Sequence, residues 1–255
     1  MNHLCCYFQC SPIIISAQQI QNYLYHLVTT KKFGPNKISL AIASFTYFYH
    51  NIVGRPEKVK QLRSPRIPNR VPFMLAPIQV LKFIESLQKF RDKVIIQLLY
   101  STGIRVGECV ALKRQDLNPE RMVIRIVKGK GQKDRYVPLS PMMLQQIELY
   151  YKEYNPGDYI FQGRKKEEPM SRTTVNRIIR NASFVLATKE TITPHTFRHS
   201  FATMLTEEGE SLYKIQKILG HKNILSTIRY IKAAKTELKS CVNPLDKVYE
   251  DNFPI

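Results

Sequence analysis

Two short β-branched segments interrupt a largely helical pattern, and this change of period limits the folds open to the chain. The segments are Met122–Val127 and Arg135–Leu139, and they flank a glycine-bearing stretch at residues 128–134. Two such segments around a glycine-containing connection predict an antiparallel hairpin with a long loop. Most of the remaining apolar residues recur at helical spacing. The sequence therefore predicts a mainly α fold with one small antiparallel sheet, an α+β architecture.

The helical spacing begins only after the first fifteen residues. Ser16 is predicted to cap a first helix and Asn36 a second, which ends before Gly54, whereas Met1–Ile15 is not expected to form a helix pair. After residue 76 the pattern predicts eight further helices, at 77–84, 92–100, 106–113, 141–154, 171–188, 196–208, 211–219 and 224–230.

The chain carries far more positive than negative charge. Lys and Arg total 39 against 20 Asp and Glu, which gives a formal net charge of +19. This imbalance suits a polyanionic partner, because each basic side chain near a phosphate releases condensed counterions. Nucleic acid is therefore the favoured partner, with a ribosomal-type binder or a membrane-surface protein as the alternatives.

The lack of long apolar stretches and the placement of the cysteines argue against a membrane or secreted protein. No stretch approaches the roughly 20 apolar residues that span a bilayer, and no basic region precedes the first apolar residues. Of the five cysteines, three crowd into the first ten residues, which is not typical of a disulfide framework. We expect a cytoplasmic protein with reduced thiols and no membrane partner. A metal site at Cys5, Cys6 and Cys10 is a minor alternative.

A proline-rich basic segment, Gly54–Pro72, separates the early helices from the rest of the chain. Proline keeps such a stretch extended and semi-rigid, as a solvated linker, a strap along a nucleic-acid backbone, or both. Its basic residues are candidate contacts to that backbone: Arg55, Lys58, Lys60, Arg63, Arg66 and Arg70.

Motifs for ATP-driven or two-metal chemistry are missing from the sequence. There is no GxxxxGK[ST] phosphate loop, and the acidic residues are scattered rather than clustered as a two-metal site requires. A basic protein that acts on phosphates without a metal must neutralise the transition state with its own cations. We therefore expect no cofactor and no metal.

The segment TGIRVGE, residues 102–108, offers one such cation. Arg105 follows a glycine at a predicted helix start, and its planar guanidinium suits two non-bridging phosphate oxygens. Glu108 lies three residues on, within helical reach, and could hold Arg105 in place. The alternative is a surface arginine in an ordinary ion pair.

The segment TPHTFRHS, residues 193–200, offers a second. A threonine cap and a proline start a helix, so that His195 and Arg198 fall on one face near its positive end, where a phosphate binds well. A zinc interpretation fails because Thr196 stands where HExxH needs glutamate. The alternative is a polar helix start with Phe197 and Phe201 in the core.

A third motif, LGH at residues 219–221, precedes Tyr230 by nine residues. A single tyrosine is far more often a packing residue than a nucleophile, and this chain has fourteen. Only its company of arginines, histidines and a loop lysine distinguishes Tyr230 from the others.

In this order, TGIRVGE, a GKG hairpin, HTFRH, LGH and then tyrosine resemble the tyrosine recombinase or phage integrase family, the integrase- and Xer-like members above all. The resemblance covers roughly Phe73–Leu238. It implies a helical, SAM-like core-binding DNA-binding domain at 1–63, a basic proline-rich linker at 64–72, and a catalytic domain at 73–255. Fewer helices are predicted before the linker than the family has, so we expect the first domain to be incomplete.

The resemblance also implies roles for individual residues. Tyr230 would be the nucleophile that forms a 3′-phosphotyrosyl link to DNA, and His195 would assist removal of its proton. Lys130 would act as general acid on the 5′-hydroxyl leaving group, with Lys128 as the alternative. Lys133 would contact DNA from the hairpin, and so would Lys128 if Lys130 is the general acid.

The remaining implied roles concern the scissile phosphate. Arg105 and Arg198 would clamp it, and His221 would donate to one of its oxygens. Glu108 matches an acidic position that supports the first arginine. Nearby cations favour both the phenolate of a tyrosine and a pentacoordinate phosphorus.

The implied function is site-specific DNA recombination, with double-stranded DNA as partner, a dimer on each site, a tetramer on paired sites, and a nucleoid-associated location. Two alternatives remain. One is a catalytically impaired relative that occupies recombination sites without strand exchange. The other is a type IB topoisomerase, against which the short length and the spacing from LGH to tyrosine argue.

Overall fold

The structure, a computed structural model, describes residues 2–66, 73–127, 134–165, 167–221, 223–228 and 230. It divides into two compact units, Met1–Arg70 and Val71–Ile255. In the part described, the first unit is helical and the second combines helices with a small antiparallel sheet. The predicted mainly α architecture with a small sheet is confirmed.

Three α-helices form the first unit over its described residues: α1 at Asn2–Phe8, α2 at Ala17–Thr29 and α3 at Pro35–Tyr47. A π-helical turn at Phe48–Ile52 continues α3. The cap predicted at Ser16 is present, because its hydroxyl accepts from the backbone N–H of Gln19 at 3.2 Å while the Gln19 side chain accepts from the Ser16 N–H at 2.8 Å. Apolar side chains from these elements make a separate core that includes Leu4, Ile20, Leu24, Ile38, Ile42, Phe45 and Tyr49.

No helix pair was expected in Met1–Ile15, and the described residues of this stretch form a single helix, α1 at Asn2–Phe8, that was not predicted. This seven-residue helix buries only Leu4, so its sequence shows no amphipathic repeat. A helix this short is not stable alone and depends on packing. Here the packing comes from α2, where the ring of Tyr23 lies 5.1 Å from that of Tyr7.

The proline-rich segment is less extended than predicted. Pro56–Lys58 forms a 3-10 turn. Lys58 Nζ donates to the carbonyls of Ile13 at 2.7 Å and Ile15 at 2.6 Å, so this ammonium group ties the segment to the chain between α1 and α2. Arg70 lies outside the described residues. The other basic residues of the segment are exposed: Arg55, Lys60, Arg63 and Arg66.

The second unit is built around a central helix. Its helices are α4 at Pro77–Ser86, α5 at Phe90–Thr102, α6 at Val106–Ala111, α7 at Pro141–Tyr154, α8 at Arg172–Ala182, α9 at Pro194–Glu207, α10 at Leu212–Leu219 and α11 at Leu225–Ile228. The helix predicted at 171–188 ends at Ala182 and continues as a 3-10 turn at Ser183–Leu186.

Helix α5 is apolar around most of its circumference because other helices surround it. Its residues Val94, Ile95, Ile96, Leu98 and Leu99 are fully buried. It contacts α4, α6, α7, α8 and α9, which leaves too little solvent-facing surface to make it amphipathic.

The predicted hairpin is present as β2 at Val123–Ile126 and β3 at Arg135–Pro138. A two-residue strand that was not predicted, β1 at Leu117–Asn118, adds to β2, which gives the antiparallel order β1-β2-β3. Alternate residues face the core, among them Ile124, Ile126 and Val137. The loop residues 128–133 lie outside the described residues.

Glycines at two helix ends set the direction of the chain that follows. Gly103 ends α5 and Gly220 ends α10, both with left-handed backbone conformation, at φ 62° and 64°. Each turn is followed within two residues by a predicted site residue.

Among the described residues, no helix is both long enough and apolar enough to cross a bilayer.

Gly103→Ala should destabilise the protein far more than Gly209→Ala. Both glycines have positive φ, where alanine costs roughly 1–2 kcal/mol. At Gly209 an added Cβ meets open space, but at Gly103 it would overlap the ring of Phe201. Overpacking adds about 1–3 kcal/mol. Urea unfolding should show the larger loss for Gly103→Ala, and equal losses would refute the steric role of Phe201.

Candidate active site

The corner between α5 and α6 presents Arg105. After Gly103 and the buried Ile104, the chain turns so that Arg105 becomes the N-cap of α6. Its backbone N–H donates to Glu108 Oε2 at 2.8 Å, and its Nη1 donates to Glu108 Oε1 at 3.1 Å. The expected pairing with Glu108 is present, and the Arg105 side chain keeps 40% of its surface exposed.

A second arginine, Arg135, binds the same carboxylate and was not predicted. Its Nη1 and Nη2 donate to Glu108 Oε1 and Oε2 at 2.9 and 2.7 Å, in a bidentate pair. Its Nε donates to the carbonyl of Ile218 at 2.8 Å. The signal in the sequence was the strand period, because Arg135 shares the inward face of β3 with Val137.

The Glu108 carboxylate stays ionised inside the protein. Burial alone would raise its pKa, but hydrogen bonds from Arg135 and from the Arg105 backbone, with both positive charges, lower the pKa from 4.5 to about 2. Glu108 is therefore a fixed negative charge between two arginines.

Arg198, on α9, is almost completely buried, with 3% of its surface exposed. Its Nη1 donates to the carbonyl of Gly103 and its Nη2 to that of Leu219, both at 2.7 Å. Burial and the positive charge of Arg105 lower its pKa to about 10, so it remains charged at neutral pH.

His195 lies one turn before Arg198 and is exposed. Partial desolvation and the positive charges of Arg198 and Arg105 lower the pKa of His195, which favours a neutral ring. A neutral imidazole can accept a proton.

His221 follows the left-handed turn at Gly220. Its Nδ1 lies 2.9 Å from the hydroxyl oxygen of Thr227, which fixes the ring. The ring stacks on that of Tyr230 at a centroid separation of 6.2 Å and an interplanar angle of 16°.

Tyr230 is buried, with 1% of its surface exposed, and its hydroxyl is hydrogen-bonded rather than enclosed by apolar groups. The hydroxyl oxygen lies 3.1 Å from Nδ1 of His199. Sequence reasoning missed His199; the one signal was its spacing of four residues from His195 on the same helix. The ring packs in a cluster with Phe201, Ala202, Ile215 and Leu219.

The second unit thus brings together residues from five separate segments. The predicted residues that converge are Arg105, Glu108, His195, Arg198, His221 and Tyr230, and the structure adds Arg135 and His199. Lys128, Lys130 and Lys133 lie outside the described residues. Over the described part of the chain, no three His, Cys, Asp or Glu residues form a group that could hold a metal ion, Cys5, Cys6 and Cys10 included.

The site concentrates positive charge around the buried Arg198. The charges of Arg105, Glu108 and Arg135 all act on the Arg198 guanidinium, and the Tyr230 hydroxyl lies within electrostatic reach of it. Such a set of fixed donors can stabilise charge that develops on a phosphate.

Comparisons with known proteins agree on one family. The model of the phage integrase family matches residues 74–237. A tyrosine recombinase of Pseudothermotoga lettingae is 32% identical over 239 residues, which cover 91% of this chain and 82% of that protein.

Two solved structures share the fold. A XerH site-specific recombinase bound to palindromic difH substrate, in a post-cleavage complex, has a TM-score of 0.74 at 20% identity, over 95% of this chain and 73% of its own. A lambda integrase dimer bound to a COC′ core site has a TM-score of 0.72 at 18% identity, over 91% and 69%.

The chain belongs to the phage integrase family and is an enzyme of the tyrosine recombinase class. The resemblance inferred from the five ordered motifs is confirmed.

Glu108→Gln should lower the free energy of unfolding near pH 7 by about 3 kcal/mol, from the difference between a pKa of 4.5 and one of about 2. A carboxyl group whose pKa is lowered by folding stabilises the fold at any pH above its pKa in the unfolded state. This contribution is lost as the pH falls through its pKa in the folded state. The difference from wild type should therefore shrink between pH 5 and pH 2. Denaturant unfolding across this range measures it.

Glu85→Gln, at an exposed position on α4, is the matched control and should change little at any pH. A deficit of Glu108→Gln that is the same at every pH would contradict the assigned role of the carboxylate.

Proposed function

We propose that this protein cleaves and rejoins DNA at specific sites through a covalent 3′-phosphotyrosyl intermediate on Tyr230, as a site-specific recombinase that uses neither metal nor ATP. The observation that carries the proposal is the convergence on Arg198. This buried cation hydrogen-bonds the chain next to Arg105 and the chain next to His221, and it lies within electrostatic reach of Tyr230.

In the proposed step the Tyr230 oxygen attacks the scissile phosphorus, a P–O bond to tyrosine forms and the bond to the 5′ oxygen breaks. Arg105, Arg198 and His221 neutralise the non-bridging oxygens. Lys130 donates the proton that the 5′ oxygen needs to leave as a hydroxyl. The energy of the phosphodiester stays in the enzyme–DNA bond, so a second 5′-hydroxyl can reverse the reaction without a nucleotide cofactor.

The proton of Tyr230 needs an acceptor, since a phenol with a pKa near 10 is a poor nucleophile at neutral pH. His195 is proposed for this role, and its lowered pKa supports it. His199 touches the hydroxyl directly, and its ring centroid lies 6.3 Å from that of His195. His199 is therefore proposed as a second group that assists the removal of this proton at the buried oxygen.

Double-stranded DNA is the proposed partner, with one dimer on each site and a tetramer on paired sites. The net charge of +19 supports a polyanionic partner. The exposed Arg55, Lys60, Arg63 and Arg66, with Arg70, Lys128 and Lys133, are proposed backbone contacts; Lys58 is withdrawn from this set, because its ammonium group donates to the carbonyls of Ile13 and Ile15. A helical core-binding domain at 1–63, a linker at 64–72 and a catalytic domain at 73–255 are the proposed division of labour, and a nucleoid-associated location would follow from DNA binding.

Tyr230→Phe should keep DNA affinity and lose covalent attachment, because only the hydroxyl attacks. Genomic fragments from the source organism are incubated with the wild-type protein, washed in denaturant and sequenced to find the site. A nicked duplex of that site, whose short cleaved strand diffuses away, then traps the adduct. Tyr213→Phe, at a 63% exposed tyrosine on α10, is the matched control and should form adduct normally.

Other outcomes would identify other functions. Retained adduct in Tyr230→Phe would end the assignment of the nucleophile. Salt-sensitive binding without any adduct in wild type would indicate a DNA-binding protein that only occupies sites. Relaxation of plasmids without sequence preference would indicate a topoisomerase.

Arg198→Ala should slow adduct formation by about 10²–10³-fold or more, the usual cost of removing one preorganised donor. Because this side chain also holds two helix ends, Arg198→Lys is measured beside it and should fold while remaining slow, since lysine lacks the planar fork. Single-turnover kinetics on the nicked duplex give the rate. A near-wild-type rate in both variants would refute the role of Arg198.

A further inference from the structure

Arg135 joins the hairpin to both halves of the candidate site. It is the first residue of β3 and pairs with Ile126 across the hairpin. Through its guanidinium it reaches Glu108 on α6 and the Ile218 carbonyl on α10.

Glu108 alone could not orient Arg105 as firmly. A carboxylate on a short helix can rotate about its side-chain bonds, and Arg105 engages it through one Nη and the backbone N–H. The bidentate pair with Arg135 fixes the carboxylate plane. Because Glu108 Oε1 accepts from both guanidinium groups, the position of Arg135 determines where the Nη1 of Arg105 is held.

The third bond of Arg135 extends the effect to the other arginine. Ile218, whose carbonyl accepts from Arg135 Nε, directly precedes Leu219, whose carbonyl accepts from Arg198 Nη2. The last turn of α10 thereby receives one bond from each arginine. A shift of Arg135 would be felt at Arg105 through Glu108 and at Arg198 through α10.

Burial makes this arrangement specific. The Arg135 side chain is 8% exposed and that of Glu108 is 15% exposed, so neither reaches far into solvent, whereas Arg105 is 40% exposed. Arg135 is therefore placed behind the surface that a phosphate would contact, and Arg105 is placed on it.

We propose that Arg135 is a positioning residue for phosphate activation, which acts through Glu108 on Arg105 and through α10 on Arg198. The proposal rests on the proposed function and deepens it. It also ties the orientation of these arginines to the strand that follows residues 128–133, the stretch that contains Lys130.

Arg135→Lys should slow adduct formation about 10²-fold, the order of loss that a misplacement of 1 Å produces, with little change in DNA affinity. The lysine keeps one positive charge and loses the fork that fixes Glu108. Arg91→Lys is the matched control, because Arg91 pairs with its neighbour Asp92 through Nε and Nη2 on α5 and touches none of these groups. It should cleave at the wild-type rate.

A second substrate separates positioning from general damage. When a methyl group replaces one non-bridging oxygen of the scissile phosphate, the charge that Arg105 neutralises is gone. On this methylphosphonate duplex, Arg135→Lys should form adduct only a few-fold more slowly than wild type. Equal losses on both substrates would mean that Arg135 is merely structural and would overturn the proposal.

Folding and failure of the parent hypothesis are controlled separately. If circular dichroism shows that Arg135→Lys does not fold, the double variant Arg135→Met with Glu108→Gln replaces it, since removing both charges avoids a buried unpaired ion. Its rate losses on the phosphodiester and methylphosphonate duplexes are then compared in the same way.

If wild type gives no adduct at all, the proposed function is wrong. The 13C titration of the Glu108 carboxyl then decides whether Arg135 holds it, and an unchanged pKa in Arg135→Lys would overturn that as well.

Discussion

Two helix C-termini end against the same buried guanidinium. The carbonyls of Gly103, at the end of α5, and Leu219, at the end of α10, both accept from Arg198 at 2.7 Å. Carbonyls in the last turn of a helix have no partner inside the helix, and they carry its negative end. A cation placed between two such ends satisfies both. This explains how an arginine with 3% exposure is tolerated in the core.

The same contact explains why the motifs occupy the segments that they do. Gly103 and Gly220 provide the left-handed turns that end the two helices. Arg105 and His221 follow those turns at once, so that holding the helix ends also holds the residues that leave them. Arg135 repeats the device, because its Nε bonds the carbonyl of Ile218 one residue earlier in α10. Arg198 and Arg135 are thus anchored to backbone carbonyls, whereas Arg105 is held by the carboxylate of Glu108.

Most helices could be predicted from apolar spacing because they are amphipathic and begin with recognisable caps, as at Ser16 and Ser140. Helix α1 and strand β1 could not. Each is too short to show a period, and each forms because a neighbour, α2 or β2, supplies its partners. The prediction of an extended proline-rich segment likewise used only local information. Its prolines set a local preference, whereas the bonds of Lys58 to the carbonyls of Ile13 and Ile15 are tertiary.

The sequence by itself determined the family, the mainly α architecture and six of the converging residues, since ordered motifs and helical spacing are local properties of the chain. Only the tertiary structure decided that Arg135 shares Glu108 with Arg105, and that His199 faces the Tyr230 hydroxyl. Arg135 lies 27 residues from Glu108, and His199 lies 31 residues from Tyr230. Contacts at that separation depend on how whole elements pack. The physical reason is that a charged or polar side chain has no local preference that reveals its partner, which is chosen by burial among the groups that the fold brings within hydrogen-bond distance.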